Sequence, residues 1–195
     1  LFKDPNKLMK AVIDNPPHIL GLSYYMWNER LTQHVARCCK KVNKDIITAI
    51  GGPSVARDSD TYKDILLLPS NSIDVVVLDQ GEKSFANLIK AVLTYGKDKK
   101  KCLVKAIEGC AIRQSESHNI LRGEIIRHKV SLGEIPSPYL KGYLDEFLSE
   151  GMMATFETVR GCPYACTFCG AGDPFYNKLI IRDEAVVYEE LLYIH

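Results

Sequence analysis

The stretch Ile73-Asp74-Val75-Val76-Val77-Leu78-Asp79-Gln80-Gly81-Glu82-Lys83-Ser84-Phe85 decides the fold. Its first half, apart from Asp74, is an apolar run around a β-branched triplet, the composition of a strand covered on both faces. Gln80-Gly81-Glu82 ends that strand, and residues 83–95 then follow an amphipathic helical pattern. Working outward, the same unit recurs. His18-Ile19-Leu20-Gly21-Leu22-Ser23-Tyr24 reads as a strand, and residues 27–42 carry Leu31, His34, Val35, Cys38 and Val42 at helical spacing. Residues 45–50 form a second buried strand ending in Gly51-Gly52-Pro53, and residues 62–68 a short helix. A helix over residues 8–14 comes first and is broken by Asn15-Pro16-Pro17. Continuous apolar strands alternating with helices predict an α/β fold, a doubly wound parallel sheet.

In such sheets ligands bind outside the carboxyl ends of the strands. Ser23, the pair Gly51-Gly52 and Gly81-Glu82 fall there. Glycine lets a backbone approach a bulky ligand closely, and a serine hydroxyl can donate or accept a hydrogen bond. Spacing alone leaves open that the glycines simply turn the chain.

A second signal lies downstream in Arg160-Gly161-Cys162-Pro163-Tyr164-Ala165-Cys166-Thr167-Phe168-Cys169, after the strand-like run of residues 154–159. Three cysteines at C-x3-C-x2-C spacing can turn toward one point and hold a soft metal or an iron-sulfur cluster. A zinc site is the competing reading, but zinc takes four tight ligands, commonly as paired knuckles. The nearest later histidine is His195, and Cys110 lies far upstream. Cys38, Cys39, Cys102 and Cys110 read as ordinary buried or half-buried thiols.

The cysteine spacing, with Phe168 before the third cysteine, resembles the radical S-adenosylmethionine (SAM) signature. The order strand-Gly-Leu-Ser, strand-Gly-Gly-Pro, strand-x-Gly-Glu-x-x-Phe, linker, R-G-C-P-Y-x-C-x-F-C is similar to the cobalamin-binding radical SAM enzymes over residues 5 to 195. The resemblance implies that Cys162, Cys166 and Cys169 ligate a 4Fe-4S cluster whose free iron chelates SAM, with Phe168 packed near the cluster and the adenine. It implies a Rossmann-like domain of cobalamin-binding type, with Ser23, Gly51, Gly52, Gly81 and Glu82 on cofactor-facing loops. The first βα unit of a radical SAM partial TIM barrel then follows. Two departures stand out. Gly81-Glu82-Lys83-Ser84 replaces the more usual Gly-Glu-Gly-Glu, and no Asp-x-His-x-x-Gly loop supplies a cobalt ligand. His18 sits at the amino end of its strand and His34 in mid-helix, so neither is a substitute.

On this reading residues 1–96 form the cobalamin-binding-like domain and residues 151–195 the start of the radical SAM core. Residues 97–150 connect them through a hairpin, residues 106–113 against 124–127, and the extended segment Leu132-Gly133-Glu134-Ile135-Pro136-Ser137-Pro138-Tyr139. Tyr139 and Tyr143 are read as packing residues. Residues 173–178 are expected to cross the cluster site, and Asp183 to open a last helix. Both ends look cut, as in a fragment of a longer enzyme.

Composition supplies the exclusions. The chain has 195 residues, 46% of them hydrophobic, and a net charge of +1, which predicts no nucleic-acid surface. Lys97-Asp98-Lys99-Lys100-Lys101 reads as a solvated loop, and no segment approaches the roughly 20 apolar residues of a membrane span. Seven cysteines without a regular framework fit a reducing cytosol, so the expected location is cytoplasmic. The resemblance implies a cobalamin-dependent radical SAM methyltransferase acting on a small molecule, with flavodoxin or ferredoxin as electron donor. The alternatives are a radical SAM methylthiotransferase, whose α/β domain should hold its own three-cysteine site, and a non-enzymatic cobalamin or redox sensor.

Overall fold

A computed structural model describes residues 4–55, 60–78, 80–96, 98–114, 119–126, 130–148, 153–164, 166–169 and 176–195. Lys97, the hairpin tip at His118, the strand end at Arg127, Ala165 and Asp173 lie outside the described residues. The chain forms two compact units, Phe2–Lys129 and Val130–His195.

In the first unit α1 (Pro5–Asp14) starts where the Asp4 carboxylate accepts the Asn6 N–H at 2.9 Å and proline holds the first helical position. Then come β1 (Ile19–Ser23), α2 (Glu29–Val42), β2 (Ile47–Gly51), α3 (Thr61–Leu66), β3 (Val75–Val77), α4 (Gly81–Tyr95), the single turn α5 (Lys99–Cys102), β4 (Cys110–Arg113) and β5 (Ile120–Arg122). They build one five-stranded sheet in the order β1-β2-β3-β4-β5. The first three strands are parallel, with Ser23 opposite Gly51 and Gly51 opposite Val77. The predicted α/β architecture is therefore present. The connector hairpin, however, joins this sheet: β4 runs antiparallel to β3 with Val77 opposite Cys110, and β5 antiparallel to β4. That pairing places the hairpin's second strand at residues 120–122 rather than 124–127.

Alternation along the strands divides the core between two faces. Ile47, Ala49, Val75, Val77, Cys110 and Ile112 pack with Leu88 of α4 and with Cys102 and Leu103. Ile50, Val76 and Ala111 face the other way, onto Ala36 of α2 and Tyr62, Ile65 and Leu66 of α3. Helices on both faces explain why the strands read as unbroken apolar runs. At the amino ends of β2 and β3 the buried Asp74 carboxylate binds the main-chain N–H of Thr48 at 2.9 Å, Arg113 Nη2 at 3.1 Å and the ammonium of Lys40. One carboxylate thus ties three strands and α2 together.

The second unit contains two one-turn 3-10 helices, Leu132–Glu134 and Asp145–Phe147, then β6 (Val159–Arg160), β7 (Ile180–Ile181) and α6 (Glu184–Ile194). β6 and β7 pair antiparallel. Asp183 accepts the Ala185 N–H at 2.8 Å, the cap expected from its position. The strand-like run of residues 154–159 contributes only its last residue to a ladder. Thr155 instead bonds through both its N–H and its C=O to the Tyr139 phenol, at 3.0 and 2.7 Å.

Candidate cofactor site and cysteine loop

In the first unit the carboxyl ends of β1, β2 and β3 enclose a cavity of about 380 Å³ against the start of α4. Its floor includes Gly21, Ala49, Gly51 and Val77, and its wall is Gly81, Glu82 and Phe85. The opening follows from the alternation that builds the core. The α4-facing positions of β1 and β2 hold bulky Ile19 and Ile47 at the amino ends, but Gly21, Ala49 and Gly51 toward the carboxyl ends. Missing side chains there leave a gap between sheet and helix. The gap is bounded closely, because a Cβ on Gly21 would stand 3.2 Å from the Phe85 ring and one on Gly51 3.1 Å from Val77 Cβ. Around Gly81 nothing lies within 4 Å of such an atom. The volume falls in the range of small-molecule pockets, and the lining is apolar apart from Glu82.

Of the five loop residues singled out from sequence, Gly51, Gly81 and Glu82 line this cavity. Ser23 stands beside Gly51 in the ladder, where its hydroxyl accepts from Asn28 Nδ2 at 2.9 Å and its carbonyl from the Thr32 hydroxyl at 2.8 Å. Gly52 adopts φ +140, and a Cβ there would sit 2.7 Å from the Tyr24 carbonyl oxygen. Glycine is thus required at 52 by backbone packing alone. Sequence reasoning gave no site role to Ala49 or Val77, nor to Gly21 and Phe85, which it used only as motif positions, although period-two alternation on the strands carried the signal. It also gave no site role to Tyr25-Met26-Trp27, which follow Tyr24 at the end of β1. The Tyr25 and Trp27 rings stack at 4.5 Å, and Trp27 is 76% exposed. Asn28 ties this loop to the strand end by accepting the Tyr25 N–H at 2.8 Å.

A second cavity of about 430 Å³ lies against the far half of α4, lined by His18, Ile19, Val92 and Leu93. It sits at the amino end of β1, away from the edge where α/β sheets bind ligands. His34 is exposed on α2, its Nε2 3.6 Å from Cys38 Sγ. Neither histidine reaches the first cavity.

In the second unit the chain enters the cysteine loop through β6. Gly161 has φ +102, and a Cβ there would lie 2.2 Å from the Lys178 carbonyl oxygen, so the two arms of the loop cross where only glycine fits. The Cys162 N–H then donates to the Tyr176 carbonyl at 2.8 Å, and the Cys169 N–H to the Cys166 carbonyl at 3.1 Å. Arg160 braces the entry through Nε and Nη2 bonds to Glu157 at 2.9 and 2.6 Å, which hold the Glu157 carboxyl below its ordinary range. Cys162 is half-buried, Cys166 and Cys169 are exposed, and Phe168 is 92% exposed. Among the described residues no three Cys, His, Asp or Glu side chains are gathered into a metal-holding group. The donor set itself fits a cluster: three accessible thiols on a short turn, with no histidine or carboxylate among them. Asn177 and Lys178 are exposed. By contrast Cys39, Cys102 and Cys110 are buried in the first unit, and burial pushes the Cys110 thiol up to about 12.

No helix among the described residues is long and apolar enough to cross a membrane. No family model matches the sequence. Over 97% of its length the chain is 30% identical to a protein of Streptantibioticus cattleyicolor named 2-(S-pantetheinyl)-carbapenam-3-carboxylate methyltransferase, and it spans 28% of that protein. It is also 30% identical, over 90% of its length, to cobalamin-dependent radical SAM methyltransferase TokK of Streptomyces tokunonensis, of which it spans 25%. An uncharacterized methyltransferase of Pyrococcus horikoshii is 27% identical over the whole chain, which spans 39% of it. The chain thus spans between a quarter and two fifths of these relatives, and over nearly all of its own length it is similar to proteins named as methyltransferases.

Proposed function

We propose that this chain supplies the cobalamin-binding domain and the first part of the radical SAM core of a methyltransferase acting on an unactivated carbon of a small molecule. The observation that carries the reading is the glycine-floored cavity at the carboxyl ends of β1–β3, in the same chain as a C-x3-C-x2-C loop. Gly51, Gly81 and Glu82 line the seat for the corrinoid, with Ser23 and Gly52 shaping its border. The small α4-facing residues admit an apolar part of the ligand between sheet and helix. Cys162, Cys166 and Cys169 hold the 4Fe-4S cluster, and Phe168 shields it. When bound, the cluster and SAM supply one-electron cleavage to a carbon radical, and cobalamin carries the methyl group. A flavodoxin- or ferredoxin-like protein of the cytoplasm delivers the electron. The similarity to TokK supports this reading. The burial of Cys39, Cys102 and Cys110 disfavours the methylthiotransferase alternative, which needs accessible thiols at the strand ends.

The test is anaerobic reconstitution of the chain with iron and sulfide, followed by EPR of the reduced protein with and without SAM and by titration with cobalamin. The expected result is a cluster signal that changes shape with SAM and is lost when the three cysteines become alanine, together with saturable cobalamin binding. Stoichiometric zinc on the same cysteines and no iron-sulfur signal would refute it.

A further inference from the structure

We infer that Tyr139 is a positioning residue for the cysteine loop, acting through the main chain of Thr155. The inference rests on the reading of Cys162, Cys166 and Cys169 as cluster ligands. The linker that carries Tyr139 is rigid for local reasons. Pro136 and Pro138 fix their own φ and hold Ile135 and Ser137 extended. Ser137 Oγ accepts the Leu140 N–H at 3.2 Å, Pro138 O the Tyr143 N–H at 3.0 Å, and Tyr139 O the Gly142 N–H at 2.8 Å. Gly142 has φ +69, which closes the turn. The Tyr139 side chain is thereby buried, at 6% exposure.

Its phenol accepts the Thr155 N–H at 3.0 Å and donates to the Thr155 C=O at 2.7 Å. One hydroxyl therefore does for Thr155 what a neighbouring strand would do, in a stretch where no ladder runs. Cys162 follows seven residues later. Besides the Arg160–Glu157 pair within this stretch, further holds come from beyond the loop. The Arg182 N–H donates to Thr158 O at 2.8 Å, β6 pairs with β7, and Cys162 bonds to Tyr176. The linker reaches that far arm too, since Arg182 Nη2 donates to Ile135 O at 3.3 Å while pairing with the buried Glu190 at 3.3 Å. Ile135 and Tyr139 of one rigid segment thus set both arms that flank the cysteines. A flexible tether between domains would have no such contacts.

Tyr139→Phe keeps the ring and deletes the hydroxyl. Tyr193→Phe is the control: it deletes a phenol bond to Asp145, at 2.8 Å, that involves no residue of the Thr155 stretch. In the full chain, hydrogen exchange over residues 153–162 is measured without cluster, and iron loss to a chelator after reconstitution. Tyr139→Phe is expected to raise both rates about tenfold, the scale of losing the bonds that hold one residue's backbone. Tyr193→Phe is expected to match wild type in both. Unchanged exchange in Tyr139→Phe, faster exchange without faster iron loss, or equal effects in Tyr193→Phe would each overturn the inference. Failure of the wild-type chain to take up a cluster refutes the cluster reading instead, and the exchange rates alone then decide whether Tyr139 holds the segment.

Discussion

Gly81→Leu separates the cavity's role in binding from its role in folding. Gly81 opens α4 and lines the cavity, and a Cβ added there meets nothing within 4 Å. Replacing a helical glycine by leucine stabilises the helix by up to about 1 kcal/mol. In a chain of 195 residues this raises the melting temperature by roughly 2–4 °C. The same four carbons project toward the proposed corrinoid seat. At roughly 0.3 kcal/mol per non-hydrogen atom for a sizeable ligand, displacing four ligand atoms costs about 1.2 kcal/mol, and a rigid macrocycle that cannot retract loses more. Cobalamin affinity should therefore fall about tenfold while stability rises. Gly52→Ala is the counterpart, since its Cβ would press on the Tyr24 carbonyl at φ +140 and destabilise by about 1–3 kcal/mol. Absorbance titration with cobalamin, alongside thermal unfolding followed by circular dichroism, reads both quantities. Wild-type cobalamin affinity in folded Gly81→Leu would show that the corrinoid does not occupy this cavity.

Two other outcomes follow from burial. Asp74→Ala leaves the largely buried Lys40 and Arg113 without their shared carboxylate and should cost about 3–5 kcal/mol in urea unfolding, whereas a loss below about 1 kcal/mol would show that the strands hold without it. Iodoacetamide at a pH of about 8 should modify exposed Cys166 and Cys169 in the native chain. Cys110, pushed up to about 12 by burial, stays a protonated thiol there and should react only after unfolding, as should buried Cys39 and Cys102. Peptide mass spectrometry distinguishes the two sets, and early labelling of Cys110 would refute its placement in the core.

Much of the first unit is legible because its elements repeat one local rule. Apolar runs without a polar face, the second and third ending in a glycine turn and each followed by a 3.6-residue pattern, can be buried only as a parallel sheet between helices. Strand ends then place Gly51, Gly81 and Glu82 on one edge. The cavity itself was not legible, because it arises from what is absent on one face of two neighbouring strands. Gly21 and Ala49 become a floor only once the register sets Gly21 beside Ala49 and α4 lays Phe85 across them. Nor did local pattern show that Ser23 and Gly52 brace the loop rather than line the gap.

In the second unit the balance reverses. The sequence by itself supplied the candidate donor set, three thiols at C-x3-C-x2-C spacing. It also determined the Asp183 cap, which needs contacts only two residues away. Only the tertiary structure decided that residues 154–158 form no strand, that the connector hairpin extends the sheet through the β3–β4 pairing, and that Tyr139 clasps Thr155. The last two are partnerships between residues sixteen or more positions apart. Composition and periodicity report what a segment can bury, while the partner of a distant hydrogen bond is chosen by the packing of the whole unit.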